Sequence, residues 1–191
     1  MNEKNNHLWL NEYFERYNES IFDNAIYDDL IRIRNIWEET KKSGGKIIFA
    51  GNGGSAAMAS HCSVDLTKAA GIRAINFNEA DLITCFANDY GYENWLKAAI
   101  KYYVKPKDLV VLLSVSGKSK NLVNAANFCK KKKIKFITMT GAKKNNPLSQ
   151  KGIINYWIDS KAYNIVETLQ MAILASIVDR IIGKSEYSSN L

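Results

Sequence analysis

The apolar residues of the first forty positions recur at helical spacing. They form two segments, Leu8, Leu10, Tyr13, Phe14 and Tyr17 in the first, and Ile26, Leu30, Ile33, Ile36 and Trp37 in the second. The pair Gly44-Gly45 follows the second segment, and glycine commonly ends a helix. The pattern therefore predicts a pair of N-terminal helices within residues 1–43.

From residue 46 onward, short apolar runs alternate with helical segments. The run at 108–115 is the strongest strand prediction because Leu109–Leu113 is continuously aliphatic. Parallel strands need crossover connections, so this alternation predicts a doubly wound parallel sheet over residues 46–183. The predicted strands are 46–50, 72–77, 108–115, 135–140 and 156–159, and the predicted helices are 56–68, 121–132 and 165–182.

Composition narrows the class of protein. The 191 residues are 47% hydrophobic and 24% charged, which is typical of one globular domain. No apolar run is long enough to span a bilayer, and the first residues lack the apolar stretch of a signal peptide. We therefore expect a cytoplasmic protein without a membrane partner. The three scattered cysteines, Cys62, Cys85 and Cys129, are predicted to be buried free thiols.

The net charge of +7 raises the question of a nucleic-acid partner. Only five of the 26 basic residues are arginines, and bidentate base readout depends heavily on arginine. The densest run, Lys130–Lys133, lies where a predicted helix ends, and the helix dipole favours cations there. Nucleic acid is therefore disfavoured as a partner, although the same positive field would attract anionic sugar phosphates.

Two loops carry the candidate chemistry. Gly51–Ser55 joins a strand to a helix, so its backbone can approach a ligand while the helix N-terminus attracts an anion. Ser114–Ser119 also follows a strand and opens a helix, and it adds three hydroxyls that can donate to phosphate. Ser119 could instead only cap its helix. If the first and third strands are neighbours, both loops open onto one crevice and form one phosphosugar site.

Three segments resemble the sugar isomerase (SIS) domain, and more narrowly the phosphoheptose isomerases. They are Phe49–Ala57, Ala87–Gly91 and Ser114–Ser119. The resemblance covers nearly the whole chain as a single SIS domain. It implies a three-layer, flavodoxin-like fold with a five-stranded parallel sheet, and a homotetramer assembled through the N-terminal helices with active sites where subunits meet.

The resemblance also implies a function and a set of site residues. The reaction would convert sedoheptulose 7-phosphate to D-glycero-D-manno-heptose 7-phosphate, or act on a related sugar phosphate, for surface polysaccharide synthesis. The implied phosphate- and sugar-binding residues are Asn52, Gly53, Ser55, Asn88, Asp89, Ser114, Ser116, Ser119 and Asn164.

Aldose–ketose isomerisation needs a base and an acid, or a metal that assists the acid. His61 and Asp65 are four residues apart and share a helix face. In the family, a histidine at the first position often binds zinc and a glutamate at the second is the base, so Asp65 retains a carboxylate with a shorter reach. We predict Asp65, Glu167 and His61 as catalytic residues and as the ligands of a possible zinc ion.

The closing helix departs from the family pattern. Glu167 stands where the family has glutamine, Gln170 stands at a histidine position, and Ala175 stands where the family has its catalytic histidine. Glu167 could compensate as a carboxylate, or it could form a capping box with Asn164 as N-cap. Two functions stay open: an active isomerase, or a phosphosugar-binding or regulatory paralogue without catalysis.

Overall fold

A computed structural model describes residues 3–21, 26–149 and 151–186. The helices are α1 (Glu3–Ile21), α2 (Tyr27–Lys42), α3 (Gly54–Lys68), α4 (Ala80–Tyr90), α5 (Trp95–Tyr103), α6 (Lys120–Lys132) and α7 (Tyr163–Ile182). The strands are β1 (Ile47–Ala50), β2 (Ala74–Asn76), β3 (Leu109–Ser114), β4 (Lys135–Thr140) and β5 (Ile154–Trp157). Among these helices, none combines the length and the apolar character needed to cross a membrane.

The five strands form one parallel sheet in the order β2-β1-β3-β4-β5. This order confirms the predicted doubly wound topology. The chain moves to one side of β1 to form β2 and to the other side to form β3, so the strand order reverses between β1 and β3. In such sheets ligands bind at the carboxyl ends of the strands at this switch point.

Two hydrophobic clusters cover the two faces of the sheet. One packs α2, α3 and α7 against one face, and the other packs α4, α5 and α6 against the opposite face. β3 is buried along its whole length, as its continuous aliphatic run predicts. The first cluster includes Trp37 of α2, whose ring meets Phe49 of β1 edge-on at 5.7 Å. The N-terminal helical pair is thus joined to the sheet through α2.

Most predicted elements are confirmed, with two differences. β5 begins and ends two residues earlier than predicted, because the polar Asn155 is accommodated inside the strand: its Oδ1 accepts from Thr138 Oγ1 at 2.9 Å and from the N–H of Gly152 at 2.8 Å. The helices α4 and α5 were not predicted. α4 has no buried residue, so it lacks the fully buried apolar stripe by which a helix is recognised in a sequence. α5 does bury Trp95 and Leu96.

An ion pair joins β1 to β3 at the N-terminal ends of these strands. Lys46 Nζ lies 2.5 Å from Asp108 Oδ2, and the backbone N–H groups of Lys46 and Lys105 also donate to this carboxylate. Burial by itself raises the pKa of Asp108, but the hydrogen bonds from Lys46 and Lys105 outweigh this effect. The pKa of Asp108 is therefore held below its usual value.

The cysteine prediction is confirmed at two positions of three. Cys62 and Cys129 are buried free thiols. Cys85 is free but exposed, which corrects the prediction, because α4 lies on the outside of its layer and buries none of its residues.

Candidate functional site

The two predicted loops meet at the switch point. Ala50 at the end of β1 pairs in register with Leu112 near the end of β3, so the following loops leave the sheet side by side. Between them lies a cavity of about 330 Å³. The residues that line it are Asn52, Gly53, Ser55, Leu113, Ser114, Val115, Ser116, Ser119, Leu122, Tyr163 and Glu167.

A pair of asparagines fastens the two loops to each other. Asn52 Nδ2 donates to Asn121 Oδ1 at 3.0 Å, and Asn121 Nδ2 donates back to Asn52 Oδ1 at 2.9 Å. Asn121 is buried at the start of α6. The reciprocal amide pair therefore fixes the glycine-rich loop against the helix that the serine-rich loop opens.

The serine-rich loop presents hydroxyl donors beside the N-terminus of α6. Ser114 Oγ accepts from the N–H of Gly117 at 3.1 Å, and Ser116 Oγ accepts from the N–H of Lys118 at 3.2 Å. A hydroxyl that accepts a backbone bond keeps its own hydrogen for a ligand. Ser119 occupies the N-cap position but makes no side-chain capping bond. Helix capping therefore does not explain the serine at position 119, and Ser119 lines the cavity.

Gly117 and Asn146 determine the shape of this loop. Gly117 has a φ of +62°, and a Cβ at this position would overlap the side chain of Asn146. Asn146 is buried and donates through Nδ2 to Thr140 Oγ1 at 3.0 Å, while its Oδ1 accepts from the N–H of Ser149 at 2.8 Å. The turn after β4 thus packs against the serine-rich loop through Asn146 and stabilises its shape.

Ser55 is bonded within the protein. Its Oγ donates to Gln170 Oε1 at 3.0 Å, and Gln170 Nε2 donates to the carbonyl of Met139 at 3.3 Å. Gln170 is completely buried. In this arrangement the hydroxyl hydrogen of Ser55 joins α3 to α7 and is not available to a ligand.

The capping-box interpretation of Glu167 is wrong. α7 begins at Tyr163 with Ala162 as N-cap, so Asn164 lies inside the helix, where it is exposed and donates to Tyr13 Oη at 2.8 Å. Glu167 lines the cavity instead, with its carboxylate against Gly54 at the first residue of α3. The structure therefore brings Glu167 to the predicted site and leaves the Asn164 side chain outside it.

His61 and Asp65 lie together on α3 but away from the cavity of their own chain. His61 Nε2 is 3.1 Å from Asp65 Oδ2, and the side chains are 59% and 29% exposed. Asp65 follows Gly54 by eleven helical residues, which places it about 16 Å further along the helix axis. A ligand bound at the serine-rich loop would therefore lie far from the Asp65 of the same chain.

The other predicted sugar-binding residues do not line the cavity. Asn88 and Asp89 are exposed near the end of α4, where Asn88 Nδ2 donates to Asp89 Oδ1 at 3.0 Å. Tyr90 next to them is also exposed, and its hydroxyl lies 3.3 Å from that of Tyr102. The second motif of the sequence thus forms a separate exposed surface in one chain.

The donor set of one chain does not complete a zinc site. Among the described residues, no three His, Cys, Asp or Glu side chains lie together in a group that could hold a metal ion. His61 and Asp65 supply two donors and Glu167 is not grouped with them, whereas catalytic zinc uses three protein ligands.

Four polar residues build the site in roles that the sequence did not predict. Tyr163 lines the cavity, Asn121 joins the two loops, Asn146 supports the serine-rich loop and Gln170 binds Ser55. Single polar residues of this kind have no periodic signal. Two of them carried some other signal: Asn121 lies two residues after Ser119, and Gln170 stands at a histidine position of the family.

Comparison with known proteins decides the family. A sequence profile of the SIS domain matches residues 13–141. The chain is 31% identical over 143 residues to the phosphoheptose isomerase of Akkermansia muciniphila, and this match covers 69% of the chain and 76% of that protein. The chain belongs to the SIS domain family. This SIS domain is also 32% identical over 150 residues to the phosphoheptose isomerase of Helicobacter pylori, a match that covers 74% and 78% of the two proteins.

The fold of the SIS domain agrees with a solved relative. The structure of a phosphoheptose isomerase from Francisella tularensis superimposes with a TM-score of 0.84 at 21% sequence identity. This alignment covers 96% of the present chain and 100% of the other. The predicted resemblance and the predicted fold are both confirmed.

Proposed function

We propose that this SIS protein is an aldose–ketose isomerase that acts on sedoheptulose 7-phosphate or a closely related sugar phosphate. SIS domains bind sugar phosphates, and the relatives above are phosphoheptose isomerases. The observation that carries the proposal is the group of hydroxyls from Ser114, Ser116 and Ser119 at the N-terminus of α6. Such donors suit a phosphate, which the helix dipole also stabilises.

The same cavity has groups for the sugar. With the phosphate at the serine-rich loop, the other polar residues that line the cavity, Asn52 and Glu167 among them, are available to the sugar. Isomerisation then requires a base to take a proton from the carbon next to the carbonyl and to return it to the neighbouring carbon through an enediol. We assign Asp65 as this base and His61 and Glu167 as the candidates for the acid. The proposal needs no metal.

The position of Asp65 has a consequence for assembly. The Asp65 and His61 of one chain lie too far along α3 to reach a ligand in the cavity of that chain, so we propose that they complete the cavity of a second copy. Large apolar side chains are exposed around α1, among them Leu8, Trp9 and Phe14, and they offer contacts for such an oligomer.

The first experiment measures turnover. Purified protein is incubated with sedoheptulose 7-phosphate, with and without added zinc, and formation of the aldose is followed. We expect the wild type to turn over and Asp65→Asn to be inactive. Asp159→Asn changes an exposed carboxylate elsewhere and serves as the control, with unchanged turnover. Activity only in the presence of zinc would show that the catalytic set includes a metal.

The second experiment tests the shared site. Asp65→Asn lacks the base and Ser116→Ala weakens the phosphate site, so each variant alone is impaired. Equal amounts of the two variants are unfolded together and allowed to reassemble at random. About a quarter of the shared sites should then combine an intact Asp65 from one chain with an intact Ser116 from another. Recovery of activity supports the shared site, and no recovery contradicts it.

A second function is favoured by one observation. α7 contains no histidine: at the two positions where the family has one, Gln170 is bonded to Ser55 and Met139, and Ala175 has no polar side chain. A phosphosugar-binding protein without catalysis would have this arrangement. Saturable binding of sedoheptulose 7-phosphate with no turnover at high protein concentration would establish that function instead.

A further inference from the structure

Glu167 is the one charged side chain among the described residues that line the cavity. Its carboxylate lies so close to Gly54 that a Cβ on this glycine would overlap both carboxylate oxygens. Within the described ranges the Glu167 carboxylate has no hydrogen bond from another side chain and no ion-pair partner. The protein therefore leaves this negative charge available to a ligand.

Two helices begin at the switch point, and each N-terminus attracts an anion. The carboxylate of Glu167 stands at the first residue of α3, so the protein itself supplies the anion there. The N-terminus of α6 is surrounded instead by the hydroxyls of Ser114, Ser116 and Ser119. One anion position is thus filled by the protein, and the other is open to a ligand.

We propose that Glu167 restricts the cavity to ligands that carry a single phosphate and that present a hydrogen-bond donor at the opposite end. This inference rests on the proposed function, which places the phosphate at α6. A second phosphate would face the Glu167 carboxylate inside a cavity of about 330 Å³, where two like charges repel strongly. A sugar hydroxyl or ammonium group would donate to the carboxylate in a charge-assisted hydrogen bond.

The test compares two ligands with the same carbon chain. Binding of sedoheptulose 7-phosphate and of sedoheptulose 1,7-bisphosphate is measured by calorimetry for the wild type and for Glu167→Gln, which removes the charge and keeps the shape. We expect the wild type to bind the monophosphate about tenfold more tightly or better. In Glu167→Gln this preference should fall to about threefold or less, mainly because the bisphosphate binds more tightly.

Two control variants separate this inference from the proposed function. Ser116→Ala should weaken both ligands by a similar factor, because it acts on the phosphate that they share. Glu79→Gln changes an exposed carboxylate elsewhere and should leave the preference unchanged. An unchanged preference in Glu167→Gln, with binding of the monophosphate retained, overturns the inference alone. If neither ligand binds to either protein, the proposed function is overturned, and the inference falls with it.

Discussion

Replacement of Gly117 by alanine should destabilise the protein more than an ordinary glycine replacement. An alanine with the φ of +62° found at Gly117 costs about 1 kcal/mol by itself. Its Cβ would also displace the buried side chain of Asn146, which has hydrogen-bond partners at both ends of its amide. Loss of such bonds in a buried position costs about 2 kcal/mol more. The total loss in the free energy of unfolding should therefore be about 3 kcal/mol.

The assay is urea unfolding followed by tryptophan fluorescence, at one protein concentration for all variants. Gly183→Ala is the matched control, because Gly183 has a φ of +82° and a Cβ added there would meet no atom within 4 Å. It should lose only about 1 kcal/mol. Adding Asn146→Ala to Gly117→Ala should cost less than the sum of the two single changes, since the overlap is already relieved. Equal losses for Gly117→Ala and Gly183→Ala would refute the steric explanation.

Three further outcomes can be measured directly. Asn121→Ala removes both amide hydrogen bonds between the loops, so it should lower the free energy of unfolding by about 1–2 kcal/mol. Calorimetry should also show weaker sugar-phosphate binding, and unchanged binding would contradict the role of the asparagine pair. Asp108→Asn should be less stable than the wild type at pH 7. Because the folded pKa of Asp108 is lowered, this difference should be lost as the pH falls below about 4, which urea unfolding at pH 7 and pH 3 would show. Dithionitrobenzoate should label the exposed Cys85 rapidly and should label Cys62 and Cys129 only on unfolding. Burial raises the pKa of the Cys62 and Cys129 thiols, to about 12 for Cys129. Rapid labelling of all three thiols would contradict the packing.

The sheet and the two loops could be predicted because local chemistry specifies them. The aliphatic runs of β1 and β3 have no stable alternative to burial, and glycine or serine directly after each strand indicates a loop that faces a ligand. The adjacency of β1 and β3 was a condition of that prediction, and the strand order of the sheet fulfils it. These features together predicted that the two loops border one crevice, and the structure has a cavity between them.

The contacts inside the site could not be predicted, because they join residues far apart in the chain. Ser55 and Gln170 are 115 positions apart, and Asn52 and Asn121 are 69 apart. Nothing in the local sequence distinguishes a serine that binds phosphate from one that binds a buried glutamine. Asp65 shows the converse: it follows the glycine-rich loop closely in sequence, but the unbroken helix α3 places it away from the cavity of its own chain.

The direction of α6 has a consequence for the rate at which ligands arrive. Its first residue adjoins the cavity and Lys130–Lys132 form its last turn, about 18 Å away along the axis. At physiological ionic strength charges are screened over about 8 Å, so this lysine run contributes little attraction at the cavity mouth. Lys118, within the serine-rich loop, lies much nearer. Association measured by stopped flow should therefore slow in Lys118→Glu and stay nearly unchanged in Lys131→Glu, although both variants lower the net charge equally.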